Sequence, residues 1–235
     1  LFAIVCNFEH LMKISIIIPT YNEANYLAST LTRVKALEGD FEIVVVDGES
    51  SDATTQIARE LGVAVVQAPR GRASQMNYGS SLAQGEVLLF LHADTRLPES
   101  TYRLITTVLS EPEVVGGCFR LRFDADCFGL RFSAFFTRFS VPLFHYGDSS
   151  YFVRTQVFRE LQGYRSYPIM EDLDLWLRMR RCGKLKILTE PVVTSSRRFL
   201  RNGVLKQQTL GIALVLFFLL GVNPNRLKKF YGEVR

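Results

Sequence analysis

Apolar runs alternate with amphipathic ones along the first 95 residues. Ile14-Ser15-Ile16-Ile17-Ile18 is β-branched and apolar on both faces, which predicts a strand buried on both sides. Pro19-Thr20-Tyr21-Asn22-Glu23 breaks it. Leu27, Leu31 and Val34 then recur at helical spacing until Gly39-Asp40. Phe41–Val46 predicts a second strand that ends at Asp47. Gly48 allows a tight turn, Ser51 suits an N-cap, and Ile57, Ala58 and Leu61 face inward until Gly62. A third strand over Val63–Val66, a helix over Ala73–Ala83 and a fourth strand over Val87–Leu91 follow. This alternation predicts parallel strands with right-handed crossovers and helices on both faces.

Beyond Asp94 the pattern loosens. Pro98 suits the first turn of a helix reaching Ser110, and Val114–Phe123 reads as a strand. Phe128–Phe144 is aromatic and basic. Tyr151–Val153 predicts a short strand and Val157–Leu161 a short helix. Met170-Glu171-Asp172 opens a helix with Leu173, Trp176 and Leu177 as its stripe, ended by Gly183. Lys186–Leu188 and Val192–Thr194 read as two strands, and the remainder as helix broken at Pro224. With no repeat and no low-complexity linker, the expected organisation is one domain over 12–200 and a helical appendage over 201–235.

The second and fourth strands each deliver one aspartate, Asp47 and Asp94, to their carboxyl ends. Ligands of open α/β sheets bind there. A buried carboxylate is costly without partners, and a nucleotide with a divalent cation supplies them. The net charge of +5 suits a polyanionic substrate or an anionic membrane face. It is too diffuse for nucleic acid, and no nucleic-acid module is present. The four cysteines form no CxxC pair and no metal-ligand spacing, which fits idle thiols in a reducing compartment. Residues 1–11 lack a basic n-region and a cleavage site. A misassigned or disordered leader, with Met12 the true start, is expected there, and the expected location is the cytoplasm or the inner face of the cell membrane.

Four motifs in order carry a resemblance: Ile17-Ile18-Pro19-Thr20-Tyr21-Asn22-Glu23, Val45-Val46-Asp47-Gly48-Glu49-Ser50-Ser51-Asp52, Leu91-His92-Ala93-Asp94 and Met170-Glu171-Asp172. The set resembles the family-2 glycosyltransferases of the GT-A fold, from Met12 to about Arg198. Pro69–Asn77 together with Leu89–Thr95 is similar to a small bacterial branch labelled arsenosugar-biosynthesis or radical-SAM/selenodomain-associated glycosyltransferases.

The resemblance implies a nucleotide-diphospho-sugar donor, usually a UDP-sugar, and a divalent cation, Mg²⁺ or Mn²⁺. Asp94 stands at the terminal aspartate of a DxD-like motif and is assigned the metal, with Ala93 beside it. His92 replaces the first aspartate; it is a metal ligand or a strand-end residue bonded to backbone. Asp47 is expected on the donor's base or ribose, or else as a turn aspartate before Gly48. Pro19, Tyr21 and Glu23 are expected to line the same pocket, or to form a plain strand-to-helix turn. Arg70, Arg72 and Asn77 surround a helix start that suits phosphate or ribose; a pair of solvated arginines is the alternative. Asp172 is expected as general base of an inverting displacement, with Glu171 orienting it or holding the acceptor. Two acids at a helix amino terminus are the plainer reading of that pair. Asp148 is the acceptor-site candidate, although Ser149 departs from the branch's Gly-Asp-Gln triplet. Arg197 or Arg198 stands where larger relatives carry a QxxRW motif, and Arg198 is taken for the donor. Its missing glutamine and tryptophan argue against processive synthesis.

The apolar stretch Leu210–Val222 is short for a spanning helix. Surface contact with a membrane, with Phe128–Phe144 as a second contact, and packing on the sheet or on a second copy are its remaining readings. The competing functional expectation is a degenerate protein that binds a nucleotide-sugar without turnover. A nucleotidyltransferase lacks its glycine-rich loop here, and no GxGxxG follows the first strand.

Overall fold

The structure is a computed structural model and describes residues 12–139, 141 and 147–231. The expected leader at 1–11 and part of the phenylalanine-rich segment lie outside the described residues.

Eight strands form one sheet in the order β3-β2-β1-β4-β7-β6-β8-β5. They are β1 (Ile14–Thr20), β2 (Phe41–Asp47), β3 (Ala64–Gln67), β4 (Val87–Phe90), β5 (Thr95–Arg96), β6 (Val114–Phe123), β7 (Tyr151–Arg154) and β8 (Lys184–Thr194). β1 is parallel to both β2 and β4, and β2 to β3. β7 runs antiparallel to β4 and β6, and β6 pairs in parallel with β8. Every residue of β1 is buried, as its apolar run on both faces predicts. Ile16 and Ile18 enter a core shared with Leu27, Leu31 and Ile105. Ile17 points into a second core with Val46, Met76 and Trp176. The period of two thus feeds both helical layers from one strand. Each buried isoleucine contributes roughly 1.5–3 kcal/mol.

The flanking helices are α1 (Ala24–Lys35), α2 (Thr54–Glu60), α3 (Arg72–Leu82), α4 (Thr101–Leu109), α5 (Phe128–Phe136), α6 (Thr155–Glu160) and α7 (Glu171–Met179). The carboxy-terminal part adds α8 (Arg197–Asn202), α9 (Val204–Leu219) and α10 (Pro224–Leu227). α3 lies very close to the sheet. A Cβ on Gly79 would stand 2.6 Å from Ile17 Cγ2 and 2.7 Å from Val46 Cγ2. Leu214 of α9 and Leu227 of α10 pack with Ile169, which draws the last helices onto the body of the molecule.

Chain order runs from β1 to β2 to β3 on one side and then crosses to β4 on the other. The crevice between β1 and β4 is therefore the switch point, where such sheets bind ligands.

Three local expectations are corrected. Ser51 does not cap α2: its N–H donates to Asn22 Oδ1 at 2.9 Å, and Asp52 accepts from Thr54 N at 2.9 Å instead. The two expected strands after Gly183 are one. β8 passes Pro191 at a register shift between Phe119 and Arg120 of β6, and a bulge accommodates the missing N–H there. α7 ends at Met179, four residues before Gly183.

Candidate active site

Main-chain bonds fix the strand ends around the crevice. Leu91 N donates to Ile17 O at 3.0 Å, which carries the chain one step past β4. Thr95 N then donates to His92 O at 3.1 Å, and Thr30 Oγ1 to Ala93 O at 2.7 Å. Asp94 is presented from that clamped turn. On the neighbouring strand, Asp47 is fully buried and accepts from Ser50 N (2.9 Å), Ser50 Oγ (2.5 Å) and Thr20 Oγ1 (3.2 Å). Gln75 of α3 donates to Thr20 O and Val46 O and ties both strand ends to that helix.

A cavity of about 210 Å³ opens beyond these ends. Pro19, Glu23, Arg72, Ala93, Asp94, Asp148, Asp172 and Arg198 all line it. Eight of the residues singled out in the sequence, the outermost 179 positions apart, thus meet in one place. A wider groove of about 570 Å³ adjoins it, sharing Arg72, Ile169, Arg198 and Tyr231 and adding Arg70 and Lys228.

Charges in the cavity are arranged in pairs. Arg197 bridges Glu23 (2.8 Å) and Asp94 (3.0 Å). Arg72 Nε lies 2.7 Å from Glu171 Oε1, and its NH2 lies 3.7 Å from Asp172 Oδ2. His92 Nδ1 meets Asp148 Oδ1 at 3.0 Å. Burial pushes Asp172 up to about 7, aided by the Glu171 charge and opposed by Arg72 and His92. Burial also raises Asp94, against the pull of His92 and Arg197. For Asp148 burial acts upward, but the hydrogen bond and charge of His92 prevail and hold it at about 2. Burial acts downward on His92, and the Asp148 hydrogen bond outweighs it and raises it. In this structure the Nδ1 of His92 is engaged by Asp148, not by backbone.

Other expected residues take different places. Asn77 does not line the cavity. Its amide donates to Tyr164 O and accepts from Tyr164 N, both at 2.8 Å, and so clamps the turn after Gly163. Tyr21 sits at the rim under the Arg70 guanidinium, 4.0 Å from the ring centroid. Glu171 is buried behind Asp172 against Arg72. Arg198 lies over the Tyr231 ring at 3.7 Å, while Arg197 is the one that reaches Asp94. Sequence reasoning chose between two adjacent arginines with nothing to separate them. Tyr231 carried no signal at all.

Among the described residues no cluster of three or more His, Cys, Asp or Glu gathers to hold a metal. Asp94 is the carboxylate at the strand end. One or two carboxylates are what a Mg²⁺ ion takes from a protein when phosphates supply its other ligands, so the donor set fits a cation that arrives on a diphosphate.

The family model for "Glycosyl transferase family 2" matches residues 15–166, more than half of the chain. The chain belongs to glycosyl transferase family 2. Curated relatives of this family-2 chain include an uncharacterized glycosyltransferase of Nostoc sp., 35% identical over 45% of this chain and 35% of its own. An undecaprenyl-phosphate 4-deoxy-4-formamido-L-arabinose transferase of Proteus mirabilis is 31% identical over 50% of this chain and 40% of its own. A dolichol-phosphate mannosyltransferase of Pyrococcus furiosus is 36% identical over 45% and 33%. The family-2 chain therefore spans well under half the length of these relatives in the matched part. Among solved structures, the mannosyltransferase PcManGT of Pyrobaculum calidifontis, in complex with GDP-Man and Mn²⁺, superposes with a TM-score of 0.65 at 21% identity, over 92% of this chain and 67% of that one. S. aureus TarS 1–349 in complex with UDP-GlcNAc gives 0.63 at 18%, over 78% and 58%. The fold is thus the GT-A fold of glycosyltransferases, as the four motifs led us to expect.

Proposed function

We propose that this family-2 glycosyltransferase moves a sugar from a nucleotide-diphospho-sugar, with UDP as the nucleotide, to a hydroxyl acceptor with inversion at the anomeric carbon. The observation that carries this reading is the convergence of Asp94 and Asp172 on one cavity, with Asp172 raised to about 7. A general base works best when its proton affinity matches the working pH. Asp172 takes the proton of the acceptor hydroxyl as that oxygen bonds to the anomeric carbon. The glycosidic bond to the diphosphate breaks with its electron pair leaving on the diphosphate. Glu171 and Arg72 hold Asp172 in place, and Asp148, fixed by His92, faces the acceptor. Asp47, fully buried, lines neither cavity and accepts from Ser50 and Thr20, so it shapes the turn at that end of the sheet, the alternative its place before Gly48 offered. Pro19 and Tyr21 border that end. Arg72 and Arg198, with Arg70 in the adjoining groove, meet the donor's negative charge. A divalent cation carried by the diphosphate and held by Asp94 would neutralise charge on the leaving group. The nucleotide-sugar ligands of the PcManGT and TarS structures support the donor class.

The experiment is a thermal-shift series with UDP, GDP, CDP and TDP and their sugar conjugates, with and without Mn²⁺, on the native chain and on Asp172→Asn. A ligand that binds only the folded form raises the melting temperature. A Mn²⁺-dependent shift with UDP, retained in a variant that has lost turnover, is expected. No shift with any nucleotide in folded protein overturns the reading.

A further inference from the structure

The outward faces of α5 and α9 are apolar where a soluble helix would be polar. On α5 the exposed residues Phe128, Phe132, Phe135 and Phe139 follow at spacings of four, three and four, the period of one helical face continued into the next turn. Phe128 is 77% exposed and Phe132 54%. Their rings meet in pairs, with Phe128 and Phe132 centroids 6.3 Å apart and Phe135 and Phe139 5.9 Å apart. On α9, Leu205, Ile212, Leu216, Leu219 and Leu220 make the corresponding outward stripe, with Leu205 75% and Leu220 80% exposed. The inward side of α9 is apolar too, through Leu214 and Val215. From Leu210 to Leu219 α9 carries no polar side chain, and a helical segment apolar all round belongs in a core or in lipid. The two helices touch: Gln208 Nε2 donates to Gly129 O at 2.6 Å.

Charge decides the occupant. Between Glu190 and Glu233 the sequence holds no acidic residue; of its seven basic ones Arg197 and Arg198 face the cavity, which leaves Arg201, Lys206, Arg226, Lys228 and Lys229. Between Asp126 and Asp148 the only Lys or Arg residues are Arg131 and Arg138, again with no acid. Arg138, Arg201 and Lys206 are exposed, as is Arg131, which lies 3.5 Å from the exposed Asp126. A second copy would bring the same positive face against itself. An anionic bilayer offers both the apolar depth and the opposite charge. No helix among the described residues is long and apolar enough to cross a membrane, and α9 has 16 residues where a span needs roughly 20.

We propose that the α5–α9 face docks this chain flat on an anionic lipid bilayer, its two apolar stripes entering the headgroup boundary. The same helices wall the active-site cavity through Ser133 of α5, Thr137 just after it, and Gln207, Gln208, Gly211 and Val215 of α9. Docking therefore sets the cavity beside the lipid surface.

The test is co-sedimentation of the full chain with phosphatidylcholine vesicles, with and without phosphatidylglycerol. Binding to the phosphatidylglycerol vesicles, weakened by salt, is expected. Phe132→Ser combined with Leu216→Ser, both exposed and outside the cavity, should weaken that binding by about ten-fold while far-UV circular dichroism and the melting temperature stay unchanged. Absence of vesicle binding, or binding indifferent to phosphatidylglycerol and salt, overturns the proposal without recourse to any variant. So does a stable dimer, seen by analytical ultracentrifugation, that the same two substitutions dissolve. Because vesicle binding needs neither donor nor turnover, its outcome is independent of the catalytic reading.

Discussion

Asp172 owes its proton affinity to where the chain places it. It is 5% exposed at the start of α7, beside Glu171 and within reach of the charges on Arg72, His92 and Asp148. Desolvation and the Glu171 charge favour the neutral acid, and Arg72 and His92 favour the carboxylate. A base must be deprotonated, and the raised value keeps it protonated below about pH 7. Turnover should therefore fall as pH drops through about 7, with log kcat declining one unit per pH unit, while nucleotide affinity changes far less. A pH–rate profile on saturating donor checks this; a flat profile from pH 6 to 8 would remove Asp172 from the base role. Asn77 illustrates the opposite lesson. Its place near the start of α3 suggested a ligand contact, yet the structure gives its amide to the Tyr164 main chain, 87 positions away. No local pattern encodes such a contact. Asn77→Ala should cost about 1–3 kcal/mol of stability in a urea titration and leave nucleotide affinity unchanged.

The elements up to Asp94 were legible because each carries its own period. Continuous apolar runs gave the parallel strands, and i, i+3, i+4 stripes gave α1 and α3. After Asp94 the reading weakened for physical reasons. α5 hides because its stripe faces outward, so burial no longer separates helix from loop. β8 looked like two strands because Pro191 interrupts the donors, and only the partner β6 reveals a bulge. β5 has two residues, too few for any period. Motif order brought most of the expected residues to one cavity, whereas which of Arg197 and Arg198 meets Asp94 depends on the direction of α8. Close packing of α3 on the sheet was also invisible, because it rests on what opposes Gly79. Gly79→Ala would push a methyl into Ile17 and Val46, both buried, and displace the helix that carries Arg72. A loss of about 1–3 kcal/mol is expected, read as a lower urea midpoint, together with weaker nucleotide binding.

On the scale of the whole molecule, the cavity joins parts that the chain keeps far apart. The end of β1 and the turn after β4 supply its floor, Arg72 of α3 and Asp172 of α7 its basic and acidic wall, and α8, α9 and Tyr231 close it from the carboxy-terminal side. Glu23, Asp94 and Arg197 meet at the centre of this assembly, one from each region, with 174 positions between the outer two. With only its own side chains present, the protein satisfies Asp94 with a guanidinium. Under the proposed function, an incoming Mn²⁺ would compete with that guanidinium, whereas one already bound to a diphosphate would bring anionic oxygens for Arg197 to take in exchange. Binding of the two is then thermodynamically linked, and linkage is reciprocal. Titration calorimetry should find weak binding of Mn²⁺ alone and at least about five-fold tighter binding with UDP present, with UDP gaining by the same factor. Equal Mn²⁺ affinity with and without UDP would break the link. Such an exchange would also loosen the tether that Arg197 makes between α8 and Asp94. Amide hydrogens of α8 should therefore exchange faster in the loaded protein, even as those around Asp94 slow.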